Sequence, residues 1–308
     1  MITDDRLLFI VGVGRSGTSL LQSMLGAHPN VAVAPETHYL RDYLLDQRRH
    51  ARTAALAPAA FRERLAQSAA FGRAEVAPTT LVPEGVPLSV RDGFLRLATA
   101  YTDRHGTAWF GDKDPNLIDY LPALAAAFPG ARVWHIYRDP RDVVLSKTRA
   151  AWSAGRPYWQ HALIGELQLR RGRRALRKHF GGRCAELAYE DLIADPAATL
   201  TRACAAVGLP YDPAMLAYTD TARQLVAENE RAWKAETFGP LRRDNTEKWR
   251  SDLTAQQVNL IEAVSPTYFG PLGYRPVSDG PAPVARVLRW GLPPARWLYG
   301  RLRKNNPG

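Results

Sequence analysis

Residues 7–25 restrict the fold of this chain more than any other stretch. Leu7-Leu-Phe-Ile-Val-Gly-Val13 is a short, continuous apolar run, the pattern of a strand buried on both faces. It gives way at Gly14-Arg-Ser-Gly-Thr-Ser19, after which Leu20-Leu-Gln-Ser-Met-Leu25 takes up helical spacing. A strand, a glycine turn and a helix in that order open a βαβ unit. A turn of this kind presents backbone N–H groups and a helix N-terminus to an anion. The apolar run stops at glycine too early for a membrane span or a secretory signal, and Met1 to Arg6 is short and polar. Cytoplasmic residence is therefore the expectation.

Further strands are expected at Val31 to Ala34, after the turn Ala27-His-Pro-Asn30, at Trp109 to Lys113, at Arg132 to Arg138, and in a short segment ending at Ala188. Between them, helical spacing covers Leu117 to Phe128, a segment from Val143 that Pro140 introduces, and Gly165 to His179, with more helix to about residue 265. Such alternation predicts the α/β class, a three-layer arrangement with a central, mostly parallel sheet flanked by helices. Residues 40–105, rich in Ala, Arg and Leu and interrupted by prolines around Pro78 to Pro87, are expected to form a helical lid or insertion. One domain should run over 1–280. The tail 281–308 alternates Val287, Trp290, Trp297 and Leu302 with Arg286, Arg289, Arg296 and Arg301 and holds no acid after Asp279. That basic amphipathic pattern suits a membrane surface, its own domain or a second subunit in a homodimer.

With 41 Lys and Arg against 30 Asp and Glu, the net charge of +11 asks for an anionic partner: nucleic acid, a polyanionic nucleotide or an acidic lipid surface. Two cysteines, Cys184 and Cys204, have no His or Cys at ligand spacing and do not resemble a secreted disulfide framework. The glycine loop is more selective. Gly12 and Gly17 sit where the nucleotide-triphosphate pattern G-x-x-x-x-G-K-[ST] has its glycines, but Thr18 replaces the lysine and Arg15 lies inside the loop. Without that lysine, phosphoryl transfer by a P-loop kinase becomes the alternative and not the first choice.

Arg15-Ser-Gly-Thr-Ser-Leu-Leu21 after an apolar strand resembles the 5'-phosphosulfate loop of the sulfotransferases that use 3'-phosphoadenosine-5'-phosphosulfate (PAPS). The continuation Gly26-Ala-His-Pro-Asn-Val31 and Pro35-Glu-Thr37 is similar to the branch containing tyrosylprotein and many bacterial sulfotransferases. The resemblance implies that Gly14, Arg15, Ser16, Gly17, Thr18 and Ser19 hold the 5'-phosphate and the transferring sulfuryl group. It also implies a 3'-phosphate site made by an Arg at a strand end and a Ser eight residues on, which Arg138 and Ser146 match. That geometry is sound by itself, because open α/β sheets bind ligands at strand carboxyl ends and a guanidinium can grip phosphate with two hydrogen bonds. The simpler role for Arg138 is a charge network with Asp139, Arg141 and Asp142. Tyr189, in Tyr189-Glu-Asp-Leu192, is similar to a family residue near adenine. Lys248, in Asn245-Thr-Glu-Lys-Trp249, is similar to one that closes over the nucleotide.

For the base, Glu36 matches the glutamate of the tyrosylprotein branch, and His38 is the alternative because imidazole titrates closest to neutrality. Lys113 matches a family lysine beside the transferring group; its simpler role is an ion pair with Asp112 or Asp114. The resemblance therefore implies in-line sulfuryl transfer to an acceptor hydroxyl, with Arg15 and Lys113 supplying positive charge and no metal expected. The acceptor is left open among carbohydrates, glycolipids and small natural products, with Trp152, Tyr158 and Trp159 near its pocket. The basic tail tilts the expectation to a lipid-linked acceptor and a peripheral position at the inner membrane face. Specific nucleic-acid binding is not expected, since Arg170-Arg-Gly-Arg-Arg174 reads as a solvated helix face.

Overall fold

The computed structural model describes residues 1–150, 153, 155–228 and 235–278. Trp152 and the tail 281–308 lie outside the described residues. Five strands form one sheet: β1 (Leu7–Gly12), β2 (Val31–Val33), β3 (Trp109–Lys113), β4 (Arg132–Tyr137) and β5 (Cys184–Ala188). Their order is β2-β3-β1-β4-β5 and every pairing is parallel. All six residues of β1 are buried, as a central strand covered by helices on both faces requires. The chain leaves β1 first towards β3 and β2 and later crosses to β4 on its other side. The carboxyl end of β1 is thus a switch point, where such sheets open a crevice for ligands.

Strand alternation divides the core in two. Phe9 and Val11 join Phe94, Phe110, Phe128, Ile118 and Leu176 on one face. Leu8 and Ile10 meet Leu21, Met24, Trp134, Leu200 and Cys204 on the other. Helix α1 (Thr18–Gly26) covers the second face. Residues 40–105 are mainly short helices, started by Pro58 and Pro78 in the first turn or capped by Asp46, Ser68 and Ser89. They end in α2 (Val90–His105), which packs on β2 and β3. Tyr39, Phe61, Phe71 and Phe94 form an aromatic cluster continuous with Phe9 of the sheet. Truncating one such buried ring costs about 3–5 kcal/mol, so this segment is anchored to the sheet by its inner side.

Two boundaries differ from the sequence expectation. Leu117 to Phe128 is not one helix but a 3-10 turn (Pro115–Asp119) followed by Leu121–Ala127. Pro122 explains the break, because it lacks the N–H that a continuous helix would need there. The helix expected from Gly165 starts instead at Tyr158, after Pro157, and runs as α4 (Tyr158–His179), with α3 (Pro140–Thr148) packed beside it. Glycines inside α4 serve close packing: a Cβ at Gly172 would stand 2.4 Å from Ile118. No helix among the described residues is long and apolar enough to cross a membrane. Cys184 and Cys204 are both free thiols.

Candidate active site

The glycine loop leaves the carboxyl end of β1 and turns through two left-handed residues, Arg15 at φ +76° and Gly17 at φ +94°. The Ser16 N–H donates to Val13 O at 3.1 Å, tightening the turn. Gly17 is the cap position of α1 and supplies no side-chain cap, so the helix opens with its N–H groups facing the loop. Gly17 must be glycine for a second reason: a Cβ there would lie 2.4 Å from the Tyr189 ring. The hydroxyl of Ser16 is fully buried and makes no hydrogen bond within the protein among the described residues. Buried hydroxyls are nearly always bonded, so this one marks a place for an acceptor atom from outside the chain.

Lys113 ends β3 and is 1% exposed. Its Nζ donates to Glu36 Oε1 and lies 3.4 Å from Ser19 Oγ. Its simpler role from sequence is an ion pair with its neighbours Asp112 or Asp114. Lys113 is instead matched with a carboxylate from the loop after β2. Arg73 Nη2 donates to the Glu36 carbonyl at 2.5 Å and fixes that loop. Asp114 receives His38 Nδ1 at 3.3 Å and Arg41 at 3.4 Å. Burial alone would raise Asp114, but the His38 hydrogen bond and the Arg41 charge outweigh it and hold the carboxyl at about 2. Burial, with the Asp114 charge adding to it and the His38 charge only partly offsetting both, pushes Asp112 up to about 7. Glu36, His38 and Asp114 bring ligand-type atoms within 4.8 Å of one another, already balanced by the charges of Lys113 and Arg41.

Arg138 follows β4 directly, and Asp139 caps α3 by accepting from Arg141 N at 2.9 Å. The Arg138 guanidinium lies 4.4 Å over the Tyr189 ring and donates to Asn245 O at 2.5 Å. Asn245 Nδ2 in turn donates to Tyr189 Oη at 2.7 Å. Arg138 Nε is buried and without a hydrogen-bond partner among the described residues. Arg138, just before α3, lies 3.9 Å from Asp142, and Ser146 follows Asp142 four residues on along the helix, on the same face. At the far end of that row Ser146 Oγ accepts from Arg15 Nε at 2.9 Å, across 131 residues. Lys248 is held one turn away: the N–H groups of Glu247 and Trp249 both donate to Asp142, at 2.8 and 3.0 Å. Arg141 is not part of an Arg138 network. It stacks 3.7 Å over Trp249 and bonds Asp139 and Glu262, clamping the C-terminal segment to α3.

The glycine loop, Lys113 and Arg138 leave the carboxyl ends of β1, β3 and β4. Tyr189, Arg138 and Ser146 are on one flank, and Glu36, Lys113 and His38 on the other, with the loop between. Sequence reasoning missed Arg41 as the partner of Asp114 and Asn245 as the link between Arg138 and Tyr189. Nothing local marks Arg41. Asn245 lay inside a quoted motif without a role.

An α/β sheet with an anion cradle at its switch point, flanked by a second arginine and a lysine–carboxylate pair, belongs to the nucleotide-dependent group-transfer enzymes. Within that class the chain is a member of the sulfotransferase family, whose model matches residues 8–213. It is 25% identical over 266 residues to an uncharacterized protein of Aquifex aeolicus, covering 80% of this chain but only 30% of that protein's length. It is 23% identical to a putative protein-tyrosine sulfotransferase of Caenorhabditis briggsae, over 90% of this chain and 92% of the relative. The sulfotransferase domain of the Synechococcus PCC 7002 olefin synthase superposes with a TM-score of 0.59 at 23% identity, over 85% of this chain and 95% of that one. The sulfotransferase domain of the curacin biosynthetic pathway gives 0.61 at 18% identity, over 89% and 99%. The protein is a sulfotransferase by family and shares the P-loop-like fold.

Proposed function

We propose that the protein takes the sulfuryl group from PAPS and delivers it to an acceptor hydroxyl, and that the residues above carry this out. One observation supports the donor most directly. Two buried polar atoms without a hydrogen-bond partner among the described residues, Ser16 Oγ and Arg138 Nε, stand in the loop and beyond β4, which suits the two separate anion contacts that a 3',5'-substituted nucleotide needs. Gly14, Arg15, Ser16, Gly17, Thr18 and Ser19 would hold the 5' end, Arg138, Ser146 and Lys248 the 3'-phosphate, and Tyr189 the base or ribose. When bound, PAPS supplies an electrophilic sulfur and an anionic leaving group, 3'-phosphoadenosine-5'-phosphate.

The chain's own groups then have defined tasks. Glu36 takes the proton from the acceptor hydroxyl. Lys113, shared between Glu36 and Ser19, counters the charge that grows on oxygen, and Arg15 does the same at the loop. The alternative base, His38, has Nδ1 at 3.3 Å from Asp114, and Glu36 is preferred because it matches the glutamate of the tyrosylprotein branch. No metal is needed in this scheme, because lysine and arginine supply the charge. The acceptor is a carbohydrate, a glycolipid or a small natural product, and the basic tail favours a lipid-linked one met at the inner membrane face. A cytoplasmic setting accords with two free thiols.

Calorimetry with 3'-phosphoadenosine-5'-phosphate (PAP) against ATP tests the donor. Tighter binding of PAP is expected, and a preference for ATP would return the protein to the kinase alternative. Transfer of labelled sulfate from PAPS to fractionated metabolite extracts then identifies the acceptor.

A further inference from the structure

The net charge of +11 does not come from the candidate site. Residues 167–185 hold seven Lys and Arg and no acid, and residues 281–308 hold six and no acid. Those thirteen cations exceed the chain's net charge, so everything else in the chain carries a net charge of −2. Arg15, Lys113, Arg138 and Lys248 belong to that nearly balanced part, and the surplus lies elsewhere.

Most of the first segment is the second half of α4. Its inner side is committed: Leu169, Gly172 and Leu176 are buried, and Arg173 is bonded to Glu186 at 2.8 Å. Arg170, Arg174, Arg177 and Lys178 leave the opposite side within an arc of about 100°, along about 12 Å of helix. All four are exposed. No hydrogen bond or ion pair holds any of them among the described residues. The helix dipole accounts for cations in the last turn, Arg177 and Lys178, but not for Arg170 and Arg174 further back. Like charges four residues apart cost the helix stability, and nothing within the described residues offsets that cost.

The row is not a reserve for the nucleotide. Because β4 and β5 pair in parallel, α4 carries the chain from the carboxyl edge of the sheet, where α3 begins, back to the amino end of β5 at Cys184. Its cationic half is therefore the half away from the glycine loop. Composition narrows the partner. No aromatic residue lies between Arg170 and Lys178, so the row offers no platform on which the bases of a single strand could stack. The second acid-free segment interleaves its cations with Val287, Leu288, Trp290, Trp297 and Leu298, a composition that suits a bilayer interface.

We propose that the exposed face of α4 docks the protein on an acidic phospholipid surface, with Arg170, Arg174, Arg177 and Lys178 as the contact. This deepens the membrane setting proposed for the tail and stands without the sulfuryl-transfer reading.

Sedimentation of the full chain with vesicles of phosphatidylcholine, alone or with about one third phosphatidylglycerol, tests the proposal. The wild type should bind the acidic vesicles in preference to the neutral ones and release them as NaCl rises from about 0.05 to about 0.5 M. One basic residue close to an acidic leaflet contributes about fivefold. Arg170→Gln, Arg174→Gln, Arg177→Gln and Lys178→Gln together should therefore cost on the order of several hundredfold in vesicle affinity. Arg174→Glu alone reverses one charge and should cost about 25-fold. Both variants should keep the wild-type affinity for PAP and melt no lower than wild type, because each relieves repulsion along the row; this separates a lost surface contact from a lost fold. Arg286→Gln, Arg289→Gln and Arg296→Gln together measure the share of the tail and should leave the effect of the α4 substitutions in place. Equal binding of the wild type and the fourfold α4 variant to acidic vesicles would overturn the proposal, as would no preference for acidic over neutral vesicles. Tighter binding of a single-stranded oligonucleotide than of vesicles, lost in the same variant, would also overturn it and make the face a nucleic-acid contact. Failure of the wild type to bind PAP would instead remove the sulfuryl-transfer reading and leave the vesicle result to decide this one.

Discussion

Replacing Arg138 by alanine isolates the contact that distinguishes a 3'-phosphorylated nucleotide from an ordinary one. In the resting site the guanidinium is stacked on Tyr189, spends one N–H on Asn245 O, and lies 3.9 Å from Asp142. Its buried Nε has no partner among the described residues, so a phosphate can use it without breaking an existing bond. A charge-assisted hydrogen bond contributes roughly 1.5–3 kcal/mol, and Arg138 can offer phosphate two. The Asp142 charge already satisfies part of the cation, which argues for the lower half of the combined range, about 3 kcal/mol. That corresponds to a loss on the order of 100-fold in PAP affinity. AMP lacks the 3'-phosphate and should bind wild type and Arg138→Ala within about twofold of each other, because the loop contacts are untouched. Arg138→Lys keeps a charge but loses the planar fork and the stack, so an intermediate loss of about tenfold is expected. The variant should fold, since Asp142 keeps two backbone donors. Calorimetric titration of the three proteins with PAP and AMP gives the full cycle. An unchanged ratio of PAP to AMP affinity in Arg138→Ala would refute the placement of the 3'-phosphate.

Three further outcomes follow from the geometry. Glu36→Gln should lower kcat by about 10²–10⁴ with PAP affinity nearly unchanged, whereas His38→Asn should cost less than about tenfold; the reverse ranking would make His38 the base. Gly17→Ala should weaken PAP binding about tenfold or more and lower the melting temperature, because it combines a φ of +94° with a collision on Tyr189. Adding Tyr189→Ala should relieve the collision but not the backbone cost, and unchanged binding in the single variant would contradict the packing. Asp112 holds its proton up to about 7 in the folded protein against 3.8 ordinarily, so folding stability should fall as pH rises from about 4 to 7. Asp114, held at about 2, acts oppositely and costs stability only as pH falls below about 4. Asp112→Asn should therefore melt a few degrees higher than wild type at pH 8, and identical melting profiles across pH would show that Asp112 is not desolvated.

Local pattern carried a good part of this protein. The strand, glycine loop and helix of residues 7–25 were readable because each is decided within a few residues: an apolar run, two residues able to turn, then 3.6-residue spacing. Arg138 and Ser146 were singled out by the resemblance, as an arginine at a strand end and a serine eight residues on in the following helix. Helix ends were less legible. Tyr158 to Ile164 carried no start signal beyond Pro157, and only packing against α3 extends α4 through them.

Partnerships across the chain were decided by tertiary structure. Lys113 and Glu36 are 77 residues apart, and Arg15 and Ser146 are 131 apart. Which cation meets which carboxylate depends on strand order, on the right neighbour for β1, and on the face each strand residue takes. From the sequence alone came the class of fold and the candidate residues for a phosphate site. From the folded sheet came their pairing, because charge and burial are properties of neighbours in space.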